Sequence, residues 1–138
     1  MRVEFYVLSS SNPADRLRAA CQLALKAWRA GMPVFVRAAD QAQGEALDAL
    51  LWSFRTESFV PHNLHSDDAQ APVVIGIDET PAKSQGLLIN LHPQLSAQLA
   101  QFSRVIEIVN QEPQLLALSR ENFKLYRQQG FAPQRVEL

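Results

Sequence analysis

Short apolar runs separated by stretches of helical period set the outline of this chain. Residues Val3 to Leu8 are rich in β-formers and stop at Ser9-Ser10-Ser11-Asn12-Pro13, a loop that ends in a helix cap. Asn12 as the cap with Pro13 at the first helical position marks a helix start, because proline lacks the N–H that would go unsatisfied there. Leu17, Cys21, Ala24, Leu25 and Trp28 then recur on one face, with Arg18, Gln22, Lys26 and Arg29 opposite, until Gly31 ends the pattern. Pro33 to Ala38 predicts a second strand. Asp40 can cap a second helix that turns Ala46, Leu47, Leu50 and Leu51 toward the core. After Trp52 the helical period fails, and residues 53–70 predict a long connection holding Phe54, Phe59, Val60, Pro61 and Leu64. Loops of that length in compact domains are usually functional or mobile.

Three more apolar runs follow, Pro72 to Ile77, Gly86 to Leu91 and Arg104 to Val109, with a short helical piece around Leu95 to Phe102. Pro113 opens a last helix that runs to about Gln129 before Gly130. Strands that are apolar almost throughout call for a sheet covered on both faces. The pattern therefore predicts a single α/β domain over residues 1–138, a three-layer α/β/α sandwich around a mostly parallel five-stranded sheet.

Length and composition narrow the picture. The chain has 138 residues, the size of one ordinary domain, and 47% of them are hydrophobic, enough for a substantial core. Thirteen Lys and Arg against fourteen Asp and Glu leave a net charge of -1, so no global positive field exists to hold DNA by counterion release. The one cysteine, Cys21, excludes an internal disulfide and a multi-cysteine zinc site. No apolar run approaches the roughly 20 residues of a membrane span, and the opening residues lead straight into a strand. A cytoplasmic protein without membrane attachment is the expectation.

An α/β sheet invites a nucleotide-binding reading, and the first strand-to-helix turn tests it. That turn, Ser-Ser-Ser-Asn-Pro, lacks both G-x-G-x-x-G and G-x-x-x-x-G-K-[ST]. Only its serines and the helix N-terminus could meet a phosphate. The three histidines, His62, His65 and His92, include a His-x-x-His pair without the helical register of H-E-x-x-H, so neither a metal nor a cofactor is expected. Cys21 belongs to an apolar stripe and reads as a buried thiol. Asp67-Asp68 and Asp78-Glu79 fall in turns, where solvated carboxylates are usual. No catalytic constellation emerges.

Two surfaces stand out. At 100° per residue, Arg120, Lys124 and Arg127 share a sector of about 60° on the last helix. Leu115, Leu118, Leu125 and Tyr126 are expected to pack on the sheet, with Leu116 and Phe123 at the border. This stripe is either a solvated basic face or the rim of a shallow apolar pocket suited to an acidic peptide with a hydrophobic end and a carboxylate. The second surface is the aromatic-bearing stretch from Trp52 to Leu64. Its rings either tuck under the loop as a satellite core or anchor another protein chain.

The chain also resembles a known family, the chi subunit of bacterial DNA polymerase III holoenzyme. The resemblance is carried by the opening Val-Glu-Phe-Tyr-Val-Leu, the helix ending Ala-Trp-Arg-Ala-Gly, Leu-Asp-Ala-Leu-Leu-Trp followed by Glu-Ser-Phe-Val-Pro-His-Asn-Leu, and the terminal Ser-Arg-Glu-Asn-Phe-Lys-Leu-Tyr-Arg-Gln-Gln-Gly-Phe. It implies a non-catalytic accessory subunit of a DNA-directed DNA polymerase that pairs with psi and reaches the clamp loader through it. It also implies binding to the acidic C-terminal tail of single-stranded-DNA-binding protein, with DNA contacted mainly indirectly. Trp52, Phe59, Val60, Pro61 and His62 match the family's psi-side segment. Val109, Arg120, Phe123, Lys124 and Arg127 match its tail-binding region, where Phe123 replaces a tyrosine and Leu116 stands where a lysine can occur. Architecture alone leaves an alternative, a small nucleotide- or phosphate-binding α/β enzyme. Direct single-strand DNA binding is a third reading, weakened by the balanced charge.

Overall fold

The computed structural model describes residues 1–53 and 60–138. In chain order the elements are β1 (Arg2–Val7), α1 (Pro13–Arg29), β2 (Val34–Arg37), α2 (Gln41–Ser53), β3 (His62–Leu64), β4 (Val73–Gly76) and β5 (Gly86–Asn90). A three-residue 3-10 helix (Leu99–Gln101), β6 (Phe102–Val109), α3 (Pro113–Gln128) and β7 (Gln134–Glu137) complete it. The strands form one sheet in the order β3-β4-β2-β5-β6-β1-β7. All its neighbouring pairs are parallel.

Among the described residues the sheet thus has seven strands, where the apolar pattern predicts five. The two additional ones are its edges. β3 lies inside the stretch expected to be a long connection, and β7 follows the last helix. The helical piece expected around Leu95 to Phe102 shrinks to the 3-10 turn, because Phe102 already begins β6.

Residues alternate across the sheet as the strand period requires. Val34, Val36, Val73, Ile75, Leu87, Ile89, Ile106 and Ile108 pack against α1 and α2. Phe35, Val74, Leu88, Val105 and Val109 point the other way and pack with Val3, Phe5 and Tyr126. The chain moves from β1 to β2 and from β2 to β3 in one direction across the sheet, and from β6 to β7 in the opposite direction. Parallel crossovers share one hand, so a reversal of direction puts the crossover helices on opposite faces. α1 and α2 accordingly cover one face and α3 the other, which gives the three layers.

Helix ends follow their local chemistry. The Asn12 side chain accepts a hydrogen bond from Ala14 N–H, and Asp40 accepts one from Gln43 N–H. α1 and α3 both end in a Schellman motif: Met32 N–H donates to Ala27 O, and Phe131 N–H donates to Tyr126 O. The residues after each helix, Gly31 and Gly130, have φ of 81° and 92°. At the second end Phe131 also packs edge-on against Tyr126, with ring centroids 6.2 Å apart. That turn aims β7 at β1, in the register Phe5 to Arg135.

Candidate functional site

α3 is rolled relative to the expectation from its leucines. Tyr126 and Asn122 are the buried residues of the helix, and Leu116 and Phe123 pack at the edge of the core. Leu125, expected on the sheet, is 43% exposed. The reason is Asn122: its side-chain amide donates to Pro93 O at 2.9 Å, so a polar residue takes a central core position and swings the leucine side outward. The roll leaves Arg120, Lys124 and Arg127 at the margin of the helix beside β7.

Between α3 and β7 lies a groove of about 710 Å³. Its apolar floor includes Phe5 and Val7 of β1, Val109 at the end of β6, and Leu116 and Phe123 of α3. Arg120, Lys124 and Arg127 stand along one wall and Arg135 of β7 along the other. The floor is braced by rings: Phe5 meets Phe123 at 5.2 Å and Tyr126 edge-on at 5.8 Å. The Arg127 guanidinium carbon sits 5.4 Å from the centre of the Phe123 ring. Lys124 pairs with Glu121 at 3.4 Å and Arg135 with Glu137 at 2.7 Å. Among the described residues, Arg120 and Arg127 have no carboxylate partner. All five residues that the family resemblance associates with tail binding are therefore neighbours around one concavity.

Sequence reasoning missed the rest of that concavity. Phe5 and Val7 looked like ordinary core strand residues, and nothing in a single sequence brings them to α3. Arg135 lies on a strand with one apolar residue in four, too weak a period-2 signal to predict. Its alternation with Glu137 was the available clue, since residues two apart share a face of a strand.

The second surface lies at the opposite edge of the sheet. Trp52 near the end of α2 is 61% exposed, and its ring meets the edge of the His62 ring at 5.1 Å. His62 is itself buried, with its Nε2 at 3.3 Å from Asp48 Oδ1. Val60 is completely buried and Pro61 half-buried. The five residues matching the psi-side segment thus divide. Trp52 and Pro61 reach the surface, Val60 and His62 support them from below, and Phe59 lies outside the described residues, as does Phe54.

The carboxyl ends of the central strands, where α/β sheets commonly bind ligands, are braced by the chain's own groups. Arg16 donates to Ile108 O at 2.8 Å and Leu91 O at 3.2 Å. Arg37 donates to the carbonyls of Ile77 and Gln94 and to Asp78 at 2.8 Å. The fully buried Glu107 accepts from Tyr126 Oη at 2.6 Å and from Asn90 Nδ2 at 2.8 Å. Burial pushes the Glu107 carboxyl up to about 7, against the opposing pull of the Tyr126 and Asn90 hydrogen bonds and of Arg16 and Arg37. Burial also raises the Tyr126 hydroxyl, with the nearby Glu107 charge adding to it. The Ser9–Pro13 turn is similarly committed. Ser10 Oγ donates to Asp15 at 2.7 Å and accepts from Asn12 N–H, which commits that hydroxyl to the turn and sets a carboxylate beside it. The three histidines stay apart: His65 faces Glu79 at 3.8 Å, and His92 Nδ1 accepts from Gln94 N–H. Among the described residues no three metal-ligating side chains converge, and no helix is long and apolar enough to cross a membrane.

Fold and site together define a parallel α/β fold with a basic, apolar-floored groove beside its last crossover helix. The model of the family described as "DNA polymerase III chi subunit, HolC" matches residues 1–134. A DNA polymerase III subunit chi from Pseudomonas aeruginosa is 48% identical over 130 residues, covering 94% of this chain and 92% of that protein. Those from Escherichia coli K12 and Haemophilus influenzae are 35% and 31% identical, covering 92% and 93% of this chain and 91% of each relative. The chain belongs to the DNA polymerase III chi subunit family.

Proposed function

We propose that this chi-family chain is a non-catalytic accessory subunit with two docking surfaces. The groove beside α3 captures the acidic C-terminal tail of single-stranded-DNA-binding protein, and the β3 edge around Trp52 and Pro61 pairs with psi, through which the clamp loader is reached. The observation that carries the first assignment is the convergence of four cations on one apolar floor. A hydrophobic terminal residue would rest on Phe123 and Val109, while carboxylates take charge-assisted hydrogen bonds from Arg120 and its neighbours. Such a subunit needs no field over its whole surface, in keeping with a net charge of -1, and meets DNA indirectly in the cytoplasm.

Six inter-strand spacings of about 4.8 Å put the two edges of the sheet roughly 30 Å apart. Two partners held at that separation do not compete, so the domain works as a short rigid tether that raises the local concentration of one at the other. The supporting experiment is titration of a synthetic acidic peptide with a hydrophobic carboxyl-terminal residue. Hydrogen bonds to charged groups contribute about 1.5–3 kcal/mol, so Arg120→Ala is expected to weaken binding about tenfold or more while leaving circular dichroism and psi pairing unchanged. Equal affinities of wild type and variant would remove Arg120 from the site and return the stripe to a solvated helix face.

A further inference from the structure

The four cations of the groove are not equivalent. Arg120 and Arg127 face it with no carboxylate partner among the described residues, whereas Lys124 is held by Glu121 at 3.4 Å and Arg135 by Glu137 at 2.7 Å. Both pairs are local in sequence, one across three residues of α3 and one across two residues of β7. All four of their side chains are about two-thirds exposed. They are therefore cheap to break: exposed pairs contribute between nothing and about a factor of five, and solvent screens them further. β7 lies next to β1 with Arg135 opposite Phe5, so the Arg135 side chain stands beside the groove floor.

We propose that Arg135 is a binding residue of the groove, and that Glu121 and Glu137 are resident competitors which an acidic ligand displaces from Lys124 and Arg135. This rests on the acidic-peptide reading of the groove given above. A ligand with one or two carboxylates, such as a single acidic residue and a free C-terminus, is served by Arg120 and Arg127 and gains nothing from the paired cations. A ligand with several carboxylates replaces both internal acids and engages all four. The two glutamates thus turn the groove from a general anion trap into one that selects closely spaced negative charge. They also lower the standing positive potential that would otherwise draw in unrelated anions such as nucleic acid.

The test is titration of two synthetic peptides, each ending in the same hydrophobic residue, one carrying three consecutive acidic residues and the other carrying one, against the full chain at low ionic strength. Glu121→Gln and Glu137→Gln are each expected to tighten the triacidic peptide about two- to fivefold, and Arg135→Ala to weaken it about three- to tenfold. Glu45→Gln on α2, on the opposite face of the sheet, changes net charge equally and controls for bulk electrostatics. It is expected to leave affinity unchanged. The gain from Glu137→Gln should shrink in an Arg135→Ala background, which a purely structural role for β7 would not produce. The monoacidic peptide should bind more weakly and bind all the single variants alike. Affinities for the triacidic peptide that are unchanged in Glu121→Gln, Glu137→Gln and Arg135→Ala, or that rise as much in Glu45→Gln, would overturn the proposal while leaving the groove reading intact. No binding of either peptide to wild type would overturn the groove reading itself and this proposal with it.

Discussion

Replacing Glu107 by Gln is expected to change how stability depends on pH, and the structure sets the size and sign of the change. Glu107 is buried on the α3 side of the sheet, where one oxygen, Oε2, receives the hydrogen bonds from both Asn90 and Tyr126. A glutamine amide oxygen can accept both of them and carries no charge. The folded carboxyl titrates near 7, above the ordinary value of 4.5. Between those values the unfolded chain has released a proton that the native chain retains, so the native state binds more protons and stability must fall as pH rises. A rise from 4.5 to about 7 corresponds to about 3 kcal/mol in total, of which about 2 kcal/mol is lost between pH 5 and pH 7. Above pH 7 the loss levels off, because both states are then ionised. The Gln variant has no such proton to lose and should be the more stable protein at pH 8 by about 3 kcal/mol, while the two should converge toward pH 4. The assay is urea denaturation of both proteins across pH 4–8. All other titrating groups are common to both, so the difference curve isolates Glu107. A shift of about 2 kcal/mol corresponds to roughly 6–10 °C in melting temperature for a domain of this size. A difference that stays flat from pH 5 to pH 7.5 would refute the reasoning, because Glu107 would then be in one charge state throughout.

Three other outcomes are expected. Trp52→Ala should weaken psi pairing by about 2 kcal/mol or more, as truncated aromatic anchors do, with little change in melting temperature because the ring is largely exposed; pairing is read by isothermal titration calorimetry. Gly130→Ala should cost about 1 kcal/mol in urea denaturation: an added methyl meets nothing within 4 Å, so the whole penalty comes from a φ of 92° that L-residues resist. Cys21, 1% exposed and with burial pushing its thiol up to about 12, should react with a disulfide reagent only as fast as the native state opens, and at once in denaturant.

The central five strands were legible because each is a short, largely apolar run rich in β-formers. The edges were not. His62-Asn63-Leu64 and Gln134-Arg135-Val136-Glu137 carry one apolar residue apiece, since an edge strand is exposed on one side and resembles loop in hydropathy. Helix starts at Asn12, Asp40 and Pro113 were readable because capping is local chemistry. The roll of α3 was not, because the amide of Asn122 is satisfied by Pro93, 29 residues earlier, and a helical wheel treats every asparagine as solvent-facing. The same division holds at the groove. Its wall of cations shares one helix and one period, whereas Phe5, Val7 and Arg135 join it only through the pairing of the first strand with the last.

That pairing also has a consequence for synthesis on the ribosome. The first part of the groove's floor, Phe5 and Val7, is made early, but the far wall cannot form until residue 135 has left the exit tunnel and found residue 5. The closure spans nearly the whole chain, and contacts so distant in sequence form late and slowly. The Trp52 edge, by contrast, draws on residues 34–76, which emerge as a block. A growing chain therefore has the means to present its aromatic edge well before it has an intact basic groove, and a chain arrested between α3 and β7 lacks the wall that carries Arg135.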